Sequence, residues 1–158
     1  MAVSVLAAIL LFLLYIVIFA FSSQNAQQSG GVSYQLTEKC VEMVHSLSGQ
    51  NWSNSFVKEL IIQFEHPLRK LAHFTEYALM GSLVYVMWRP WKRRGKEFFL
   101  LVTLWVLLSA MGDEFHQTFV PGRDGNAYDV LLDTCGGMFG IWCCVILERI
   151  PAIKRVFL

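Results

Sequence analysis

Residues 3–21 read VSVLAAILLFLLYIVIFAF. The run carries no charge, and its polar groups are Ser4 and the Tyr15 hydroxyl. At about 1.5 Å rise per residue it matches a hydrocarbon layer of roughly 30 Å, so it is read as a membrane span. A secretory signal fits less well. Met1 to Ser4 has no basic residue, and Ser22-Ser23-Gln24 is a poor cleavage site, so a retained helix is expected.

Three further stretches extend that reading. Residues 71–88, 98–115 and 129–147 are apolar over most of their length. Each has a polar end. His73, Glu76 and Tyr77 lie in the first turns of the second span, while Asp113-Glu114-Phe115-His116-Gln117 closes the third. Asp129 and Asp133 open the fourth. If successive spans alternate in direction, all three polar ends meet on one side of the membrane. The composition agrees with this class: 16% of residues are charged, against roughly 25% in soluble domains. A net charge of +1 provides no field to recruit nucleic acid, which is not expected as a partner.

Loop charges set the orientation. Arg89-Pro90-Trp91-Lys92-Arg93-Arg94-Gly95-Lys96 is basic without an acid, and Arg149, Lys154 and Arg155 follow the last span. The positive-inside rule puts both segments, and both termini, in the cytoplasm. The polar ends then face outward. Residues 22–68 become an outer loop, too long for a bare linker. Within it Leu36, Cys40, Met43, Val44 and Leu47, and then Phe56, Leu60, Ile61 and Phe64, recur at helical spacing. Two short amphipathic helices are predicted, split at Gly49, with Pro67 in the first turn of the next helix. The fold class expected is all-α and integral to the membrane. It is a single domain over 1–158, a bundle of four transmembrane helices with short amphipathic helices in the outer loop.

The polar stripes are the candidate site. Arg69, His73, Glu76 and Tyr77 share one helix face, as do Ser109, Asp113, His116 and Gln117, while Asp129 and Asp133 are one turn apart. An ionisable group at mid-bilayer costs roughly 2.5–3.5 kcal/mol, so the stripes should turn toward one another. Mutual neutralisation is the simplest use of such groups. Yet Glu76, Asp113, Glu114, Asp129 and Asp133 outnumber Arg69, Lys70 and Arg123, and two histidines accompany them. That excess favours an outward cavity that binds a ligand through Arg69, Lys70, His73, Glu76, Tyr77, Asp113, Glu114, His116, Gln117, Arg123, Asp129 and Asp133.

Other uses of the same residues are weaker. His73 with Glu76, and Asp113 with His116, are spaced i, i+3 and offer N/O ligands of the kind Zn²⁺ or Fe²⁺ accepts, but no HExxH motif is present. No cofactor is expected, with metal as the lesser alternative. The rival class is an intramembrane hydrolase or transferase on a lipid or polyprenyl-phosphate. His73 or His116 would be its general base, and Glu76, Asp113 and Glu114 would be its other catalytic candidates. No G-x-S-x-G or C-x-x-C motif supports it. Pro121-Gly122-Arg123-Asp124-Gly125-Asn126 reads as a tight turn, either a plain connector or one whose Arg123 offers a fork for phosphate or carboxylate. Gly136 and Gly140 form a GxxxG pattern that marks close helix approach, and also a face through which two copies could pair. The four cysteines imply free thiols.

The blocks Arg69-Lys70-Leu71-Ala72-His73-Phe74-Thr75-Glu76-Tyr77, Asp113-Glu114-Phe115-His116-Gln117, Phe119-Val120-Pro121-Gly122-Arg123 and Asp129-Val130 with Gly136-Gly137 together resemble the VanZ-like family of bacterial membrane proteins. Ser22-Ser23-Gln24 after the first span also fits. The family often has Asn where this chain has Asp133, so here the pattern gains a carboxylate. The resemblance implies a place in the bacterial envelope and lowered susceptibility to lipid-tailed glycopeptides such as teicoplanin. The partners it implies are membrane lipids and either a lipoglycopeptide or a lipid-linked envelope precursor.

Overall fold

The computed structural model describes residues 2–89 and 95–150. They form five helices: α1 (Ala2–Ser22), α2 (Ala26–Ser48), α3 (Asn54–Trp88), α4 (Lys96–Gln117) and α5 (Ala127–Leu147). No strand occurs among the described residues. Helices α1, α4 and α5 are long and apolar enough to cross a membrane. Their outer surface is apolar too: Phe12, Leu100 and Leu131 stand exposed, as suits helices that meet lipid rather than water. Residues 90–94 and 151–158 lie outside the description, so most of the basic loop, Lys154 and Arg155 do as well.

The segment read as an outer loop departs from expectation. In place of two short helices there is one of 23 residues, α2, and a 35-residue α3 that runs unbroken into residues 71–88. Asn25 caps α2 through a reciprocal box with Gln28, which starts the helix well before its first apolar stripe. Gly49, at φ 64°, ends it. Ser53 then accepts from the Phe56 N–H at 3.2 Å and opens α3. Pro67 sits inside α3 rather than at its start. It removes one hydrogen bond and lines a groove between α2 and α3, and the packing of α2 on α3 supports the helix through that stretch.

Helix α3 is the centre of the bundle, packed on α5 above all and on α1, α2 and α4 as well. One core joins Leu11 and Ile18 of α1, Tyr77, Met80 and Val84 of α3, Val102 and Val106 of α4 and Ile141 of α5. The α3–α5 crossing needs glycine. A Cβ on Gly136 would strike the Phe74 carbonyl, and one on Gly140 would strike that of Ala78. The GxxxG face is therefore filled by α3 of the same chain. At the bundle's basic end, Arg89 clasps Glu148 through two bonds of 2.5 and 3.0 Å, tying the end of α3 to that of α5.

Candidate functional site

The other end of the bundle gathers the polar residues. Lys70 of α3 forms an ion pair with Asp129 in the first turn of α5. Gln117 donates to Asp113 one turn back along α4, at 3.0 Å. Glu114 is nearly buried and accepts the Asn126 N–H at 2.8 Å, so it anchors the turn that leads into α5. Within that turn Gly122 takes φ 75°, a conformation that favours glycine, and it sends the next side chain, Arg123, back over the bundle. Arg123 donates to the Ser29 hydroxyl of α2 at 2.7 Å and to the Ser22 carbonyl that ends α1 at 3.5 Å.

These contacts enclose two adjoining hollows of about 260 and 220 Å³. Both are lined by Ser29, Arg69, His73 and Arg123. Glu76 closes the larger one beside Phe21 and Leu36; Lys70, Gln117 and Asp129 wall the smaller. The charges of Asp113, Lys70, Arg123 and Asp129 all bear on His73, and that of Asp113 bears on Glu76. The polar ends of α3, α4 and α5 thus share one place. The residue match runs through all of it: the chain fits the model of the VanZ/LLP1 family over residues 7–148.

It belongs to the VanZ/LLP1 family. No curated protein and no solved structure matches it.

In this VanZ/LLP1 chain the stripe residues divide into two groups. Arg69, Lys70, His73, Glu76, Gln117, Arg123 and Asp129 line the cleft. Tyr77 and Asp133 do not, being fully buried in the core, where neither the phenol nor the carboxyl oxygens have a hydrogen-bond partner among the described residues. His116 turns to α1 instead. Its ring packs on Phe19 with centroids 4.8 Å apart, and its buried Nδ1 has no hydrogen-bond partner among the described residues. Among the described residues, no three His, Cys, Asp or Glu side chains are grouped so as to hold a metal ion.

The cations differ in what they are left to do. Lys70 is paired with Asp129, and Arg69 reaches Glu65 one turn away at 3.5 Å. Arg123 has no carboxylate in ion-pair range among the described residues; both its bonds go to neutral oxygens. Burial, and then the nearby Arg69, press its guanidinium below the usual arginine value, with Asp113 and Glu114 partly offsetting them. A half-buried, unpaired guanidinium beside a second one is an arrangement that an anion stabilises.

Two parts of the cleft are absent from the sequence reading. Ser29, with Val32, Ser33 and Leu36, comes from the first turns of α2, a helix expected to begin later. The Asn25–Gln28 spacing was the available signal. Asn126, the cap of α5, is held by Glu114, a contact that no local pattern announces.

Proposed function

We propose that this VanZ/LLP1 protein crosses the bacterial cytoplasmic membrane four times, with both termini in the cytoplasm. Its cleft faces outward and binds an anionic, lipid-tailed ligand. That ligand is a lipoglycopeptide such as teicoplanin or a lipid-linked envelope precursor, and its capture lowers glycopeptide susceptibility. The fourth crossing is residues 71–88 of α3, whose ionisable residues, His73 and Glu76, fall at the end that lines the cleft. The orientation rests on the basic character of residues 89–96.

The observation that carries the binding reading is Arg123. Charged and polar side chains from α2, α3, α4, α5 and the turn before α5 line the cleft, yet the bonds of this guanidinium go only to neutral acceptors. A network built solely for folding would set a carboxylate against it, because an unpaired buried charge is costly. Arg69 and Arg123 would meet the ligand's anionic group, Glu76 and His73 its hydroxyl or cationic groups, and the apolar walls its tail.

Growth in teicoplanin tests this, with protein amount measured in the same cells. Arg123→Gln and Glu76→Gln should lose resistance at unchanged membrane levels. Resistance that simply tracks protein amount would make the cluster a folding device. For the orientation, labelling of a Lys92→Cys variant by an impermeant reagent in intact cells would overturn the four-span topology.

A further inference from the structure

A further hollow adjoins the cleft. Between α2 and the N-terminal half of α3 lies a groove of about 380 Å³, walled by Val41, Val44, Trp52, Leu60, Phe64 and Leu68. Its volume falls in the range of small-molecule pockets. The hydroxyl it contains, that of Thr37, already donates to the Ser33 carbonyl at 2.8 Å. The groove therefore offers hydrocarbon and no polar anchor.

Leu68 joins the two spaces. It lines both the apolar groove and the polar cleft, and the next residue, Arg69, faces the cleft. A molecule whose anionic head lies at Arg69 and Arg123 has the groove directly beside it for a chain. We propose that this groove takes one acyl chain of a phosphate-headed lipid from the surrounding leaflet, with its phosphate at Arg123 and Arg69. This rests on the reading of the cleft as an anion site.

Geometry favours a leaflet lipid over a dissolved amphiphile. Counting about 30 Å back from Trp88 at 1.5 Å per residue reaches Leu68, so the groove begins at the membrane boundary and continues along α3 beyond it. Leu71 lines the groove, and Leu79 lies two turns further along the same face; both are more than half exposed. With Thr75 between them, whose hydroxyl is turned back onto the Leu71 carbonyl, they form a largely apolar track from the bilayer interior into the groove. A chain can pass along it without crossing water, while its phosphate moves into a site that already holds unpaired positive charge. No gain in hydrophobic burial is needed, since the chain leaves one apolar surrounding for another. The groove lets the head reach both guanidinium groups.

The test uses the full-length protein in nanodiscs of phosphatidylcholine doped with phosphatidic acid that carries a mid-chain diazirine. After irradiation, adducts are mapped by mass spectrometry. They should fall on residues 37–44 and 60–71. Arg123→Gln should lower that yield about tenfold, as for loss of one charge-assisted contact. Val44→Trp, which fills the groove from an exposed position, should remove these adducts too. Binding of dihexanoyl phosphatidic acid, whose chains are too short to need the groove, is measured alongside by titration. If this short lipid binds in an Arg123-dependent way but the photo-chain labels the outward faces of α1 and α4, the groove assignment is wrong and the cleft reading stands. If it does not bind at all, the cleft reading falls and the groove proposal with it. Capture of a photolabelled teicoplanin tail in the groove where phosphatidic acid gives no adduct would overturn the choice of occupant.

Discussion

Removing one side of the Arg89–Glu148 clasp should be the most damaging single change at the basic end of the bundle. The two side chains are 8% and 9% exposed and meet through bonds of 2.5 and 3.0 Å across 59 residues of chain. Glu148→Leu strands the Arg89 guanidinium, which is nearly out of water, at a cost of about 3–5 kcal/mol, whereas Arg89→Met costs less, because Tyr85 also bonds Glu148. For a chain of this size each kcal/mol moves Tm by about 2–4 °C, so Glu148→Leu should melt about 6–20 °C lower and Arg89→Met by a smaller amount. The double variant removes both charges together and leaves two apolar side chains of similar bulk. It should lie within about 1 kcal/mol of the parent, or above it. Tryptophan emission during a thermal ramp in detergent reads all three. A Glu148→Leu variant that melts within about 2 °C of the parent would show that water reaches the pair freely, and the reasoning from burial would fail.

The same ramp checks three other sites. Gly140→Ala should cost about 1–3 kcal/mol, because the added methyl meets the backbone of Ala78 rather than a movable side chain, and the helix-propensity gain of about 1 kcal/mol offsets only part of it; an unchanged Tm would mean that the helices do not meet there. Glu114→Ala should lose about 1.5–3 kcal/mol with its bond to Asn126, and Glu114→Gln, which keeps an acceptor, should recover much of it. Asp133→Asn should leave Tm unchanged or higher, since no group among the described residues bonds either carboxyl oxygen and a buried charge without a partner is costly. A clear drop would reveal a partner for that charge.

The spans were legible because lipid imposes a simple rule. A helix that meets hydrocarbon must be apolar along its length, so 3–21 and 129–147 anticipate Ala2–Ser22 and Ala127–Leu147 almost to the residue. The segment between residues 22 and 68 obeys no such rule. There Pro67 pointed to a helix start, but the packing of α2 on α3 outweighs its lost hydrogen bond. The membership of the polar cluster could be read from helical spacing, whereas its pairing could not. Asp113 and His116 are three residues apart, which leaves them about 60° apart around α4, and that angle sends His116 to Phe19 of α1. Asp129 takes Lys70 as its partner within a hollow that Arg69 and Arg123 also line, and helical spacing does not choose among those three cations. The conformation of Gly122 decides where Arg123 goes, and a turn motif alone does not specify it.

The central claim is that the cleft over Arg123 exists to hold an anion. Its most direct test is the binding of teicoplanin and of a lipid-linked envelope precursor to the parent protein and to Arg123→Gln in nanodiscs, with Tm recorded on the same samples. The account predicts that at least one of the two ligands binds the parent and is weakened about tenfold or more in the variant, as one charge-assisted contact is lost, at an unchanged Tm. Equal affinity in parent and variant, or a variant that loses binding only as it loses Tm, would contradict it.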